Sequence, residues 1–360
     1  MSSLTKPYPP TPINYSQWNL LVDMMAGGQG RVQRQSYIIQ KVGSQYQAIH
    51  GKIGTIAAGP SSSLKAIFES FAAPGQIIEF RGGDSGMETY TVEDTITIPK
   101  GVNLRASPGT ARLKLADNVN KDMLVISDDS GDQYDYIWLD GLHLDGNRAN
   151  QTAGKGIVLK NITHSFIINC WVRDCRDYNI HAESTSGGNL FLNNWLLGSN
   201  GSNMLLEGND DTLIGNWIAY SEAYGLRINK NRAKVFGNHL WEHPTAAIYL
   251  PSNLHTVGHN VIEKITGVGI EVNGHTNILS LNQICVEGGA APTIGIKLNE
   301  TWSKWNIVSL NNIVGCTQHG VWIGTGANDN VITSNITRAC AAGITDLGTG
   351  NEVAHNKNII

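Results

Sequence analysis

Charged residues and long apolar runs are both scarce in this chain of 360 residues. Asp, Glu, Lys and Arg make up 16% and the net charge is −4. No run of Lys or Arg occurs, which argues against nucleic acid and anionic membranes as partners. No apolar segment is long enough to insert across a bilayer. The N-terminal segment also lacks an apolar run of signal-peptide length, so the sequence as given predicts no secretory leader of its own.

Cysteine is scarce as well: the five residues stand at positions 170, 175, 285, 316 and 340, without a CxxC spacing. This pattern excludes the common zinc and redox motifs and favours buried free thiols. We expect no cofactor, with a calcium ion among exposed carboxylates left open. Glycine, in contrast, is abundant at 40 residues, and asparagine recurs at intervals. That composition favours short strands joined by tight turns over a helical protein.

Asparagine recurs with a fixed period in the second half of the chain. The shared step is 22 residues, at positions 194, 216, 238, 260 and 282. A second column, Gly225, Ala247 and Gly269, has the same step, and each member precedes an apolar residue. Two columns in phase predict a solenoid with coils of about 22 residues. Between Asn282 and Asn311 the spacing grows to 29 residues, which places insertions in turns.

The alternation within each repeat predicts short strands. In residues 212–218, Leu213 and Ile218 are expected to point inward and Trp217 outward. Strands of successive coils would pair in parallel about 4.8 Å apart, so that equivalent side chains stack. We interpret the asparagine column as an internal ladder at a bend, with a structural role and no ligand.

The segments before the repeat carry a specific resemblance. They comprise a short helix, Leu64–Phe71, preceded by three serines, then Tyr90-Thr91-Val92, the segment IPKGVNLRA at 98–106 and an Asp-Gly-Asn coil ending at Asn147. Together they resemble the segments with which β-helices of the pectate-lyase-like superfamily begin. The similarity to that superfamily covers roughly residues 60–360. The resemblance implies an all-β fold, the right-handed parallel β-helix, with a short N-terminal arm and a capping helix. It does not imply one activity, because this fold hosts lyases, hydrolases, epimerases and non-enzymatic spikes.

We expect two segments in the chain. Residues 1–58 would form an arm and hairpin for docking, and residues 59–360 the β-helix domain. Prolines within 7–12 predict an extended arm, residues 15–25 a short helix, and residues 37–56 a hairpin. The sequence ends inside a predicted coil without a polar cap, which favours a subunit contact and hence a homo-oligomer, with a trimer as one candidate.

Catalytic signatures of the superfamily's enzymes are not found. The nearest approaches to the polygalacturonase-like motifs are NDD at 209–211, RIN at 227–229 and QHG at 318–320, and none matches. The alginate-epimerase sequence Asp-Pro-His-Asp and the pectate-lyase sequence Arg-x-Pro-x-x-Arg are absent. Whether the protein is an enzyme therefore stays open.

The strand that follows the Gly225 column predicts a mixed outward face. Its first outward column is Val158, His181, Leu205, Arg227, Tyr249, Glu271, Lys297 and Trp322. Its second is Lys160, Glu183, Glu207, Asn229, Pro251, Asn273, Asn299 and Gly324. Aromatic rings stack on sugar faces, and Arg and Lys bind uronate or sulfate groups, so this mixture suits an extended polysaccharide.

Four residues of this face are candidates for catalysis. Glu183 and Glu207 would stand one coil apart, near the roughly 5–5.5 Å of a retaining glycosidase, and could form an acid/base pair. Arg227 could serve a lyase as base, and Glu271 completes the set. The substrate-binding candidates are His181, Tyr249, Lys297 and Trp322. The alternative is an ordinary solvated sheet face.

A further outward column contains Trp195, Trp217 and His239. Two stacked exposed tryptophans are unfavourable unless covered, so we favour a subunit interface or packing beneath a turn over sugar binding. Trp302 and Trp305 would rim a groove or pack on the adjacent coil.

Three functions follow as alternatives. The first is an extracellular or virion-surface protein of the tailspike or receptor-binding kind that engages polysaccharide. The second is a polysaccharide lyase or glycoside hydrolase acting on acidic glycans. The third is a purely structural surface or filament protein.

Overall fold

The computed structural model describes residues 35–83, 86–127, 136–286, 290–299 and 302–359. Residues 35–360 group into one compact unit. The predicted arm and the predicted helix within residues 7–25 lie outside the described residues, so the docking role of residues 1–58 stays a prediction.

Three sheets contain the described strands. The first sheet consists of β1 (Ser36–Val42), β2 (Gln45–His50), β3 (Ile56–Ser61), β4 (Ile77–Phe80), β7 (Asn103–Ala106), β10 (Trp138–Asp140), β13 (Phe166–Ile168), β16 (Leu190–Leu192), β19 (Thr212–Ile214), β22 (Lys234–Phe236), β25 (Thr256–Gly258), β28 (Ile278–Ser280), β31 (Ile307–Ser309), β34 (Val331–Thr333) and β37 (Glu352–Ala354).

The second sheet consists of β5 (Glu88–Val92), β8 (Ala111–Leu115), β11 (His143–Asp145), β14 (Trp171–Cys175), β17 (Trp195–Ser199), β20 (Trp217–Ser221), β23 (His239–Trp241), β26 (Val261–Glu263), β29 (Gln283–Cys285), β32 (Asn312–Val314), β35 (Ile336–Arg338) and β38 (Lys357–Ile359). The third sheet consists of β6 (Ile96–Pro99), β9 (Leu124–Ser127), β12 (Ile157–Lys160), β15 (Ile180–Ala182), β18 (Met204–Leu206), β21 (Tyr224–Ile228), β24 (Ala246–Leu250), β27 (Val268–Val272), β30 (Ile294–Leu298), β33 (His319–Ile323) and β36 (Ala342–Asp346).

From β4 onward the chain visits the three sheets in turn, and each strand pairs in parallel with its equivalent in the next coil. About eleven turns result, which confirms the predicted right-handed parallel β-helix. The predicted hairpin is also confirmed: β1 and β2 are antiparallel, and β1 joins the first sheet beside β4.

The predicted helix is α1 (Leu64–Phe71), with Ser63 as its N-cap. The Ser63 hydroxyl accepts a hydrogen bond from the Ala66 amide at 3.1 Å, satisfying one donor of the first turn. Leu64, Ile67 and Phe68 are buried. The apolar face therefore packs on the first coils, as the periodicity predicted.

Strand alternation fills the interior. Leu213 and Ile218 are completely buried whereas Trp217 is 37% exposed, as expected. Gly225, Ala247 and Gly269 lie on consecutive rungs, because Leu226 pairs with Ile248 and Ile248 with Ile270. A side chain on Gly225 would meet the Ala247 carbonyl at 2.6 Å, so this column requires very small residues.

The repeated asparagines lie buried between the first and second sheets. Asn216 Nδ2 donates to Asn238 Oδ1 at 2.8 Å, and Asn238 Nδ2 donates to Asn260 Oδ1 at 3.0 Å. The same contact joins Asn194 to Asn216 and Asn311 to Asn335. Each of these buried pairs also forms hydrogen bonds with backbone groups. These bonds satisfy backbone donors and acceptors that the bend leaves unpaired.

A second polar column, which the sequence analysis missed, lies between the third and first sheets. In it a backbone amide donates to the side chain one coil further on, as from Asn189 to Asp211 at 2.9 Å and from Asn277 to Asn306 at 2.8 Å. His255 occupies one rung and accepts from the Ala233 amide at 3.2 Å. The column is chemically mixed, which hid it in the sequence.

None of the five cysteines, all of which the structure describes, forms a disulfide, and all except Cys285 are buried. Cys316 and Cys340 lie on adjacent coils, with the Cys316 amide donating to Cys340 Sγ at 3.4 Å. Within the described ranges, no helix is long and apolar enough to cross a bilayer. Nor do those ranges contain three His, Cys, Asp or Glu side chains grouped to hold a metal ion.

Candidate functional site

The outward face of the third sheet contains the predicted site residues. Strand pairing places the first outward column on successive rungs: His181 pairs with Leu205, Leu205 with Arg227, and Arg227 with Tyr249. The column continues through Glu271, Lys297 and Trp322. The sequence period therefore converts directly into a row of side chains along the solenoid axis.

Exposure divides this row into two parts. Val158 is fully buried, Leu205 is 6% exposed and His181 is 8% exposed. The N-terminal part of the row is therefore buried, although strand alternation directs these side chains outward. From Arg227 onward the side chains are half-buried. The accessible part of the face thus begins at Arg227, and His181 could influence a ligand there only through its neighbours.

Glu207 is hydrogen-bonded to His181 and Asn229. His181 Nε2 lies 2.9 Å from Glu207 Oε2, and Asn229 Nδ2 donates to Glu207 Oε1 at 3.3 Å. Lys160 Nζ lies 3.8 Å from Glu183 Oε1. Burial favours the neutral form of Glu207, but the bonds from His181 and Asn229 outweigh it and lower the pKa below its ordinary value. These surroundings favour ionised Glu207, and not the proton-sharing carboxylate pair expected with Glu183.

Arg227 lies in an aromatic setting. Its guanidinium carbon is 5.8 Å from the Tyr249 ring centre and 5.9 Å from that of Tyr224, and the two rings stack at 4.9 Å. Arg227 Nε donates to Asn229 Oδ1 at 3.0 Å. Among the described residues, no carboxylate lies within ion-pair distance of Arg227, so most of its donors stay available to an incoming anion.

Tyr224 was not among the predicted site residues. Strict alternation counted back from Arg227 places Tyr224 on the inward side, but β21 departs from that alternation, with both Gly225 and Leu226 buried. Tyr249 is fixed in turn by Asn273, whose Nδ2 donates to the phenol oxygen at 3.0 Å. Burial raises the pKa of Tyr249 above its ordinary value, so the phenol stays neutral.

Glu271, Lys297 and Trp322 form the C-terminal part of the row. Lys297 Nζ lies 3.3 Å from Glu271 Oε1, which also accepts from Asn299 Nδ2 at 3.0 Å. The same ammonium lies 5.6 Å from the Trp322 ring centre. Glu271 is therefore held by donors on two sides, an arrangement that suits it to orienting Lys297 more than to abstracting a proton.

The second sheet presents an aromatic row on its outward side. Trp195 and Trp217 are 46% and 37% exposed, and their ring centres are 4.9 Å apart. The row extends to Trp171 on one side and to His239, 5.4 Å from Trp217, on the other. Packing beneath a turn does not cover these tryptophans. Trp302 and Trp305 are likewise exposed, at 72% and 59%.

No protein-family model matches this chain, and no curated protein is similar to it in sequence. Solved structures are similar in fold. The A-module of mannuronan C-5 epimerase AlgE6 from Azotobacter vinelandii aligns with a TM-score of 0.66 and 17% identity, over 83% of this chain and 94% of that one. The AlgE4 A-module aligns with a TM-score of 0.63 and 15% identity, over 77% and 91%.

A tailspike protein mutant of E. coli bacteriophage HK620, in complex with a pentasaccharide, aligns with a TM-score of 0.61 and 14% identity, over 86% of this chain and 64% of that one. At sequence identities this low, the structural similarity shows a shared fold and gives no information about activity. The chain therefore has the right-handed parallel β-helix fold of these proteins, and the resemblance to the pectate-lyase-like superfamily is confirmed at the level of the fold.

Proposed function

We propose that this protein binds an acidic polysaccharide on the outward face of the third sheet, as a tailspike-like or receptor-binding-like protein of an extracellular or virion surface. The neighbours in fold support the proposal, since they include a tailspike in complex with an oligosaccharide and two mannuronan epimerases. The residues of the face support it independently.

The environment of Arg227 carries this proposal. A guanidinium flanked by the Tyr224 and Tyr249 rings, without a carboxylate partner among the described residues, offers a bidentate donor to a uronate carboxylate or a sulfate. The half-buried rings of Tyr224 and Tyr249 add apolar surface for sugar rings. From Arg227 to Trp322 the row covers four strand spacings, about 19 Å at about 4.8 Å each. A face of that length fits an oligosaccharide segment better than a single sugar.

Binding without cleavage is the version that the geometry favours. Glu207 is ionised and hydrogen-bonded, Glu271 is held by Lys297 and Asn299, and Glu183 lies near Lys160. An acid catalyst needs a raised pKa, whereas that of Glu207 is lowered. The His181–Glu207 pair is the one feature that favours the enzyme alternative, because a carboxylate-oriented imidazole can move protons.

The test is titration of the protein with uronate polysaccharides, sulfated polysaccharides and neutral glucans, measured by calorimetry. We expect binding to the anionic chains and at least a tenfold loss of affinity in Arg227→Ala. Arg232→Ala is the matched control, because Arg232 is exposed and already bridged to Asp210 at 2.7 Å. Equal affinity in Arg227→Ala, or binding to none of these chains, would contradict the proposal and favour a structural protein.

The same mixtures decide between binding and cleavage. New absorbance from unsaturated uronates would indicate a lyase, and new reducing ends a hydrolase. Loss of either signal in Glu207→Gln would assign the chemistry to the His181–Glu207 pair.

A further inference from the structure

Two cations on the accessible part of the third-sheet face stand three rungs apart. Arg227 pairs with Tyr249, and Tyr249 pairs with Glu271. Lys297 pairs with Glu271 on the next rung. Three strand spacings of about 4.8 Å therefore separate Arg227 from Lys297, about 14 Å along the axis. Lys230 is exposed but lies on the same coil as Arg227, so it does not shorten this interval.

The first rung between these two cations is uncharged. It carries the half-buried ring of Tyr249, and Pro251 stands two residues further along the same coil, also half-buried. The phenol oxygen of Tyr249 already accepts a hydrogen bond from Asn273. An aromatic ring and a proline offer apolar surface to a sugar ring and no charge to an acid. This rung therefore suits a neutral sugar.

The second rung between them carries a carboxylate. Glu271 Oε1 lies 3.3 Å from Lys297 Nζ and accepts from Asn299 Nδ2 at 3.0 Å. Both donors approach this one oxygen, so Glu271 Oε2 has no hydrogen-bond partner among the described residues. That oxygen can accept from sugar hydroxyl groups, but it opposes a carboxylate of the ligand, because like charges in contact across an interface reduce affinity.

A second carboxylate borders Arg227 on its N-terminal side. Asn229 accepts from Arg227 Nε at 3.0 Å and donates to Glu207 Oε1 at 3.3 Å, so one amide joins the cation to the carboxylate. Leu205, on the rung before Arg227, is buried. An acidic sugar bound to Arg227 thus has Glu207 on one side and Glu271 two rungs away on the other. The site accommodates one negative charge and opposes further charges beside it.

We propose that this row selects polysaccharides whose acidic sugars are separated by neutral ones, and discriminates against chains with a carboxylate on every sugar. The inference rests on the glycan-binding function proposed above and narrows its substrate class. A pyranose residue in an extended chain advances by about one strand spacing, so acids bound to Arg227 and Lys297 stand about three sugars apart. The interleaved carboxylates supply the discrimination, because specificity depends on repulsion of the wrong ligand as well as attraction of the right one.

The first test uses polygalacturonate and alginate, each compared by calorimetry with its own carboxyl-reduced form that retains about one acid per three sugars. At least one reduced polymer should bind about tenfold more tightly per carboxylate than its parent, and Glu271→Gln should lower this preference about fivefold. Glu222→Gln, an exposed carboxylate 3.3 Å from Arg148, is the matched control. Equal binding of parent and reduced polymers, weakened alike by Arg227→Ala, would overturn the inference and leave the proposed function standing. Failure of every uronate and sulfated chain to bind would overturn both.

The second test measures the interval itself with tetrasaccharides that carry a uronate at both ends or at one end only. The doubly charged ligand should bind the wild type at least about fivefold more tightly, because its acids reach both cations. This advantage should disappear in Lys297→Met, which keeps an unbranched side chain beside Trp322 and whose folding is checked by circular dichroism. An advantage that persists in the folded variant, or that is missing in the wild type, would overturn the assignment of the second acid to Lys297.

Discussion

His181 and Glu207 form a diagonal pair across two coils, with 2.9 Å between Nε2 and Oε2. Glu207 has a lowered pKa because the bonds from His181 and Asn229 outweigh burial. An acid with a lowered folded pKa stabilises the fold above its ordinary pKa, and this contribution is lost as the pH falls through the folded value. Glu207→Gln should therefore be less stable than wild type at pH 7, by under about 1 kcal/mol.

Urea unfolding of both proteins between pH 7 and pH 3 measures this difference. The gap between the midpoints should narrow as the pH falls toward 3, because wild-type Glu207 loses its charge-dependent contribution as it becomes protonated. Glu222→Gln, which alters an exposed carboxylate 3.3 Å from Arg148, is the control. A gap that is independent of pH would show that the carboxylate charge contributes nothing.

Cys285 should react with a thiol reagent faster than the other four cysteines. Cys285 is half-exposed, and Cys170, Cys175, Cys316 and Cys340 are buried. Burial raises the pKa of Cys170 to about 12, which removes its thiolate at neutral pH. Ellman's reagent should titrate one fast equivalent in the native protein and five in denaturant.

Cys340 provides the internal check on that experiment. A hydrogen bond from Cys316 lowers the pKa of Cys340 below its ordinary value in the folded protein, but Cys340 is buried and reacts only when its coil opens. A slow second equivalent would report local opening of the C-terminal coils. Cys285→Ser should abolish the fast phase, and a fast native phase in that variant would contradict the burial of the other thiols.

The period of 22 residues was enough to predict a solenoid of stacked strands and the row from Arg227 to Trp322, because equivalent positions of successive coils stack. The resemblance of the first coils added the β-helix fold. The partners of Glu207 were not predicted. His181 lies in the other outward column, and Asn229 follows Glu207 in its own column, where only the two carboxylates were compared. Diagonal neighbours such as His181 are also within reach of long side chains. Tyr224 was missed because β21 departs from strict alternation. Diagonal contacts also depend on side-chain rotamers, which a repeat does not determine.

The buried asparagine pairs should contribute strongly to stability. Asn238 donates to the Leu213 carbonyl at 3.2 Å and to Asn260 at 3.0 Å, and it accepts from the amide and the side chain of Asn216 at 2.9 and 2.8 Å. Asn238→Ala leaves these buried groups without partners and should lower the free energy of unfolding by about 2 to 4 kcal/mol. Asn356→Ala, on the last, half-buried rung, should lower it by less; equal losses would contradict a cooperative column.

Asp211 is the exception in the second polar column. Its side chain is completely buried, Oδ1 accepts from the Asn189 amide at 2.9 Å, and Oδ2 has no hydrogen-bond partner among the described residues. Burial raises the pKa of Asp211 to about 7. The folded protein then binds a proton that the unfolded chain has released, so stability should fall as the pH rises from about 4 to about 7 and level off above that.

Replacing Asp211 with asparagine should remove this dependence. The amide keeps the acceptor for Asn189 and turns the unpartnered oxygen into a donor, as at Asn277, whose Nδ2 donates to the Ser252 carbonyl at 3.3 Å. At pH 8 we expect Asp211→Asn to be more stable than wild type by on the order of 1 to 4 kcal/mol, with the difference shrinking toward pH 4. Chemical denaturation across this range measures it. A variant that is less stable than wild type at pH 8 would contradict this prediction, because it would mean that the surroundings stabilise the ionised carboxylate.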